Sequence, residues 1–204
     1  IDPAVSVSDD QDGTAFDGAN EVIYSLDFSE PVRLITAEDL TVDGAEISHV
    51  NHAGGTTAAE VHVIVADNSI ENVSISVNSS IVDIAGNPLI QVVDNSQTVD
   101  TVNPSTFVPP AVSDIVVSDE DDTTTLTVSF TFDEAMDQAI DPVVTFEPAV
   151  AATLTGQTGR WTDAQTYVVE AVVADADIDA DAVTIDITGA HDVAGNLQAD
   201  HEAT

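Results

Sequence analysis

The sequence has no cysteine and no lysine, and its aromatic fraction is only 4%. Without cysteine, no disulfide can brace a thin core. Without lysine, the permanent cations are Arg33 and Arg160, set against 38 acidic residues and a formal net charge of −36. That balance excludes nucleic acid as a partner, because phosphate binding needs a basic face. It equally excludes docking on anionic lipid. No apolar run reaches the ~20 residues that span a bilayer, so no membrane contact is expected. No basic segment with an apolar stretch behind it opens the chain, which reads as a slice of a longer protein. With so few aromatics the core must be aliphatic and β-branched, a composition that favours strands.

What is present is an apolar fraction of 43%, arranged in short alternating runs, so a core can form despite the charge. The chain also repeats itself. Val82–Leu89 (VDIAGNPL) returns as His191–Gln198 (HDVAGNLQ), and Leu26–Val32 (LDFSEPV) as Phe130–Met136 (FTFDEAM). Val61–Asp67 matches Val169–Asp175, Val73–Val77 matches Val183–Ile187, and Val7–Asp10 matches Val117–Glu120. A period a little over one hundred residues suits a β-sandwich and is far too long for a solenoid. The expected organisation is a module over 1–100, a proline-containing linker over 101–110 and a second module over 111–204.

Each half reads as about seven short strands. In the first they fall near Ala4–Val7, Glu21–Phe28, Asp39–Val42, Glu46–His52, Ala59–Ala66, Val73–Val77 and Leu89–Val93. In the second they fall near Asp114–Ser118, Thr124–Phe132, Pro142–Phe146, Ala151–Gly156, Thr166–Val173, Val183–Ile187 and Leu197–Asp200. The alternation in the second half places Leu126, Val128, Phe130 and Phe132 on one face.

The F-[SD]-E after the second strand, the later D-x-A-G-N and the following VDT with its prolines resemble bacterial immunoglobulin-like extender modules. Such modules form arrays in large repeats-in-toxin and biofilm-associated adhesins. The resemblance covers both halves and implies an all-β fold of two tandem immunoglobulin-like Greek-key β-sandwiches. It further implies an extracellular place on a bacterial cell surface, neighbouring modules of the same chain as partners, and calcium stiffening at the joints.

In such a sandwich successive strands run in opposite directions, so loops two–three and six–seven share the pole where the chain enters. At that pole the second half carries Asp133, Glu134 and Asp192. The opposite pole of the first half carries Asp9, Asp10 and Asp12 in one loop, with Asp67 and Glu71 in another, and Asp100 follows in the linker. Carboxylates gathered in this way call for a cation. Calcium accepts six to eight oxygens in flexible geometry, magnesium is stricter, and zinc would want a Cys/His cluster that the spacing does not show. Glu30 and Asp83 repeat the pattern at the entering pole of the first half, as half of a site.

Each residue also has a plainer reading. Asp83 and Asp192 suit a tight turn closed by Gly-Asn. Glu30 and Glu134 suit solvated loops, and Asp9, Asp10 and Asp12 a hairpin turn. Asp175, Asp177, Asp179 and Asp181 alternate like the start of an EF-hand, but Ala180 stands at the sixth position and Asp186 at the twelfth. His49 and His52 lie on a strand and the turn after it, where a surface role is the default. Trp161 suits packing in the core or over an edge, and a lone Trp is a weak signal for a sugar platform.

No nucleophile motif accompanies these groups, so the expectation is a monomeric, non-enzymatic spacer. The alternatives are a carbohydrate- or protein-binding module, or a salt-adapted surface-layer domain without discrete metal sites.

Overall fold

The computed structural model describes residues 1–11, 13–89, 93–107, 109–180 and 182–201. It is all-β with antiparallel sheets and short 3₁₀ turns. Among the described residues no helix is long and apolar enough to cross a membrane. The chain divides into two compact units, Ile1–Val102 and Asn103–Thr204.

In the first unit, strands β1 (Val5–Asp9), β2 (Glu21–Val32), β3 (Leu40–Asp43), β4 (Ala45–Asn51), β5 (Thr56–Val65), β6 (Val73–Val77) and β7 (Val93–Gln97) form two sheets. Their orders are β1-β2-β5-β4 and β3-β6-β7. Period-2 alternation turns Val22, Tyr24, Leu26 and Phe28 of β2 and Ala59, Val61, Val63 and Val65 of β5 inward. They meet Leu40, Val73, Ile75 and Val77 from the other sheet in one core. Two sheets closing on a shared core are the arrangement of a β-sandwich. Burial, reinforced by the Asp9 charge, pushes the Tyr24 phenol up to about 12.

The second unit repeats this plan. Its strands are β8 (Ala111–Val112), β9 (Thr125–Thr131), β10 (Val143–Glu147), β11 (Leu154–Trp161), β12 (Thr166–Val173) and β13 (Thr184–Thr188). They pair as β11-β12-β9-β8 and β10-β13. Leu126, Val128, Phe130 and Phe132 are all buried, as their alternation predicts. Trp161 leans on Phe132 and Tyr167, at ring-centroid distances of 5.6 and 5.1 Å, and its indole N–H donates to the Ile140 carbonyl. It closes the edge of the core and does not stand out as a platform.

The structure departs from the sequence reading at the strand that opens the second unit. Asp114–Ser118, expected as that strand, is irregular, and the Val7–Asp10/Val117–Glu120 match has no structural counterpart. The true equivalents lie earlier. Ser29 N–H donates to Ala4 O in the first unit, and Asp133 N–H donates to Ser105 O in the second. Thr106 bridges Phe132, and Phe107 N–H donates to Thr131 O. Thus 104–107, expected as linker, lies along the second unit's edge. Thr101 is buried in the first unit, bonded to Ala66 and Ser69. Prolines concealed this strand, because Pro109 and Pro110 interrupt it between Phe107 and Ala111.

Two further strand expectations shift. The seventh strand of the first unit is described over Val93–Gln97, Leu89 is not in a strand, and residues 90–92 lie outside the described set. Leu197–Asp200 contributes a single bridge, from Leu197 to His191.

Gly159 of β11 lies against Tyr167, and a Cβ there would collide with the Tyr167 hydroxyl and ring. Gly159→Ala is expected to lower unfolding stability by about 1–3 kcal/mol through overpacking, measured by urea denaturation.

Candidate metal-binding carboxylates

The two D-x-A-G-N segments fold identically. In the first unit, Asp83 is 2% exposed, and its Oδ1 accepts the N–H groups of Gly86 and Asn87 at 2.6 and 2.7 Å. Its Oδ2 accepts the Asn87 side-chain amide at 2.7 Å. In the second, Asp192 is 1% exposed and takes the same partners, Gly195 N–H, Asn196 N–H and the Asn196 amide, at 2.6, 2.8 and 2.7 Å. The glycines sit at φ of +99° and +109°, a region open to Gly and strained for other residues.

Each turn also clips the chain around its second strand, at the end of β2 in the first unit and in the segment that follows β9 in the second. Val32 bridges Asp83, and Ile84 N–H donates to Pro31 O. Met136 bridges Asp192, and Val193 N–H donates to Ala135 O. The sequence repeat is therefore a structural repeat, down to individual hydrogen bonds.

A buried carboxylate must find donors, and here the chain supplies them. Burial pushes the Asp83 carboxyl up, but the Asn87 side chain and the backbone N–H groups of Asn87, Gly86 and Ala85 outweigh it. The group is held below the usual carboxylate range. A carboxylate has about four acceptor positions, and the turn's own donors fill most of those on Asp83. For Asp192 a second acid stands close. Its carboxylate and that of half-buried Glu134 bring oxygens within 4.8 Å of each other.

No protein-family model matches the chain, and no curated protein matches it. The functional reading rests on the residues themselves.

The remaining candidates take individual positions. Asp133 accepts Ser105 N–H and Oγ–H at 2.8 and 2.6 Å. It does what Ser29 does in the first unit, where Ser29 Oγ accepts Ala4 N–H at 2.9 Å. Asp133 therefore pins the first strand, and it marks the pole where the chain enters the second unit. Asp10 accepts Ile23 N–H at 2.8 Å and the Gln11 amide at 3.2 Å, closing the turn after β1. Asp67 accepts Asn68 N–H at 2.9 Å. Asp100 accepts Val102 N–H at 3.2 Å, while its own N–H donates to Ala15 O. Glu30 is half-buried at the end of β2, and Asp12 lies outside the described residues. Among the described residues Asp10, Asp67, Asp133, Glu30 and Asp83 join no group of three or more metal-ligating side chains.

Asp175, Asp177 and Asp179 lie with Asp119 around a cavity of about 310 Å³, in irregular chain without the helices of an EF-hand. Asp181 lies outside the described residues.

One grouping escaped the sequence reading. Glu21, His49 and His62 place ligand atoms within 4.8 Å of one another, so a histidine-containing cluster exists where none was expected. His52, by contrast, uses Nδ1 to accept Ile35 N–H at 3.0 Å.

Removing the Asp192 carboxylate orphans its buried donors and releases Ala135 and Met136, in the segment beyond β9. Asp192→Ala is expected to lose about 3 kcal/mol of unfolding stability, read by denaturant titration. The depressed Asp83 pKa has a definite sign in pH. Its contribution is complete above the unfolded value of about 3.9 and is lost as pH falls through the lower folded value. The Asp83→Asn variant is expected to show a shallower stability loss below about pH 4 than the wild type, measured by thermal unfolding across an acid series.

Proposed function

We propose that the chain is a pair of immunoglobulin-like extender modules from a bacterial cell-surface adhesin, acting as a calcium-stiffened spacer that projects a distal binding domain. The work is mechanical and needs no catalytic group. Strand order supports the immunoglobulin-like assignment. The sheets β1-β2-β5-β4 and β3-β6-β7 follow the ABED and CFG orders of a constant-type sandwich. The second unit reproduces that plan without a seventh strand among the described residues.

The observation that carries the calcium reading is the Glu134–Asp192 pair. Two carboxylates approach within 4.8 Å at the pole where the chain enters the second unit, one of them almost wholly buried. Like charges so placed favour a shared cation, and an all-oxygen donor set selects a hard ion such as calcium. Glu30 and Asp83 hold the equivalent positions in the first unit's copy of the repeat.

The packing of Trp161 against Phe132 and Tyr167 supports this reading over a sugar-binding one, because the ring is committed to the core edge.

At a hundredfold excess over its dissociation constant, one calcium stabilises the bound state by about 2.7 kcal/mol. Calcium at constant ionic strength is therefore expected to raise the melting temperature beyond any sodium effect, and to stiffen the particle in small-angle scattering. Glu134→Gln, which leaves the Asp192 turn intact, should remove most of that gain. Equal scattering and melting in calcium and in chelator would leave only a salt-adapted, acid-coated pair of sandwiches.

A further inference from the structure

The outward face of the first unit's larger sheet carries a second kind of metal chemistry. It arises from a β-bulge. Strand β4 pairs with β5 in regular register through Ala45↔Val65, Glu46↔Ile64 and Ile47↔Val63, and then shifts so that His49 faces His62 and Val50 faces Val61. The sequence requires the shift. Ala45, Ile47 and Val50 all pack against the core, and their spacing changes from two to three. One extra residue must be accommodated, and Ser48 and His49 both face solvent. In an unbulged ladder His49 would stand opposite Val61, on the core side.

The bulge sets the two imidazoles face to face, with centroids 3.8 Å apart and planes 19° from parallel. Glu21, on the neighbouring strand β2, brings Oε1 to 3.0 Å from His62 Nδ1. On the other side of that ring, Glu60 Oε2 stands 3.9 Å from Nε2 and accepts the Asn51 amide at 3.1 Å. Ser48 Oγ lies 3.1 Å from His49 Nδ1.

We propose that Glu21, His49 and His62 bind a borderline transition-metal dication of the zinc class on this face. Two imidazoles and one carboxylate suit zinc, cobalt, nickel or copper and disfavour calcium and magnesium, which seek oxygen. Three adjacent strands deliver the groups, so the backbone fixes their spacing while the exposed Glu21 and His49 can close on an ion held at the partly buried His62. Glu60, 3.9 Å from His62 Nε2, is placed to become the outer carboxylate of that nitrogen once the ring shifts onto the ion, an arrangement common around ligating histidines. Three protein ligands leave a coordination position facing solvent. The surplus acid of the chain raises the local concentration of any cation, and the imidazoles select among them.

The site is independent of the calcium reading, since it shares no residue with the Glu134–Asp192 pair. The test is titration of the whole chain with Co²⁺ in the presence of excess calcium, which occupies the oxygen-only sites. The wild type is expected to bind one Co²⁺ with visible absorption bands characteristic of imidazole ligation, displaceable by Zn²⁺. His49→Gln and His62→Gln should each weaken binding by about tenfold or more. Glu21→Gln, an exposed and conservative change, provides a third variant whose folding is not in question. In parallel, Zn²⁺ should shift the ring nitrogen resonances of His49 and His62 while leaving those of His191 in place. Identical Co²⁺ isotherms for the wild type and all three variants, or ring resonances of His49 and His62 unmoved by Zn²⁺, overturn the proposal.

Discussion

Both units depend on a buried aspartate that turns back on its own loop. Asp83 and Asp192 are each almost completely withdrawn from water, and each gathers the N–H groups of the Gly-Asn that follows. A lone carboxylate in that environment would be costly. The loop meets the cost by folding donors around the charge, which fixes the turn, and the turn then grips the chain at or just beyond the second strand through a bridge and a backbone hydrogen bond. In a protein with little aromatic mass and no disulfide, such polar clasps do the fastening that a larger core or a covalent bond would otherwise do.

The same clasp limits what these aspartates can do elsewhere. With most acceptor positions taken by the turn's own donors, each can complete a cation site but cannot build one alone. Glu134 matters for that reason: it is the neighbouring acid of Asp192, and its position after Asp133 is fixed by the bonds between Asp133 and Ser105. The proposed calcium chemistry therefore sits on a scaffold that is already closed without it.

The legible parts of the fold were those governed by local pattern. Alternation in Thr125–Thr131 and Thr166–Val173 gave both strand and inward face, because burial of one face imposes a period of two. The internal repeat gave two units of similar plan. Signals that depend on register stayed hidden. His49 and His62 are far apart in sequence and meet only through strand pairing across a bulge, whereas the nearer pair, His49 and His52, is split between solvent and a backbone bond. The first strand of the second unit was masked by Pro109 and Pro110, which read as linker. Asp133 and Ser29 hold equivalent positions with different side chains, so sequence comparison could not reveal their shared task. The ambiguity at Asp83 and Asp192 was chemical, since a tight turn and a metal ligand both ask for aspartate.

The irregularities of the outer strands have a consequence for assembly. In each four-stranded sheet one edge strand is broken in register, β4 between Ile47 and His49 and β11 between Thr155 and Thr158. The opposite margin of the second sheet is the two-residue β8, preceded by paired prolines. An uninterrupted margin is a template on which a like sheet can grow, and kinks, brevity and proline remove it. Look-alike domains held at high mutual concentration are the setting in which strand exchange and fibre growth are most dangerous. These kinked and shortened margins, with the repulsion of a strongly anionic surface, keep such domains from annealing to one another.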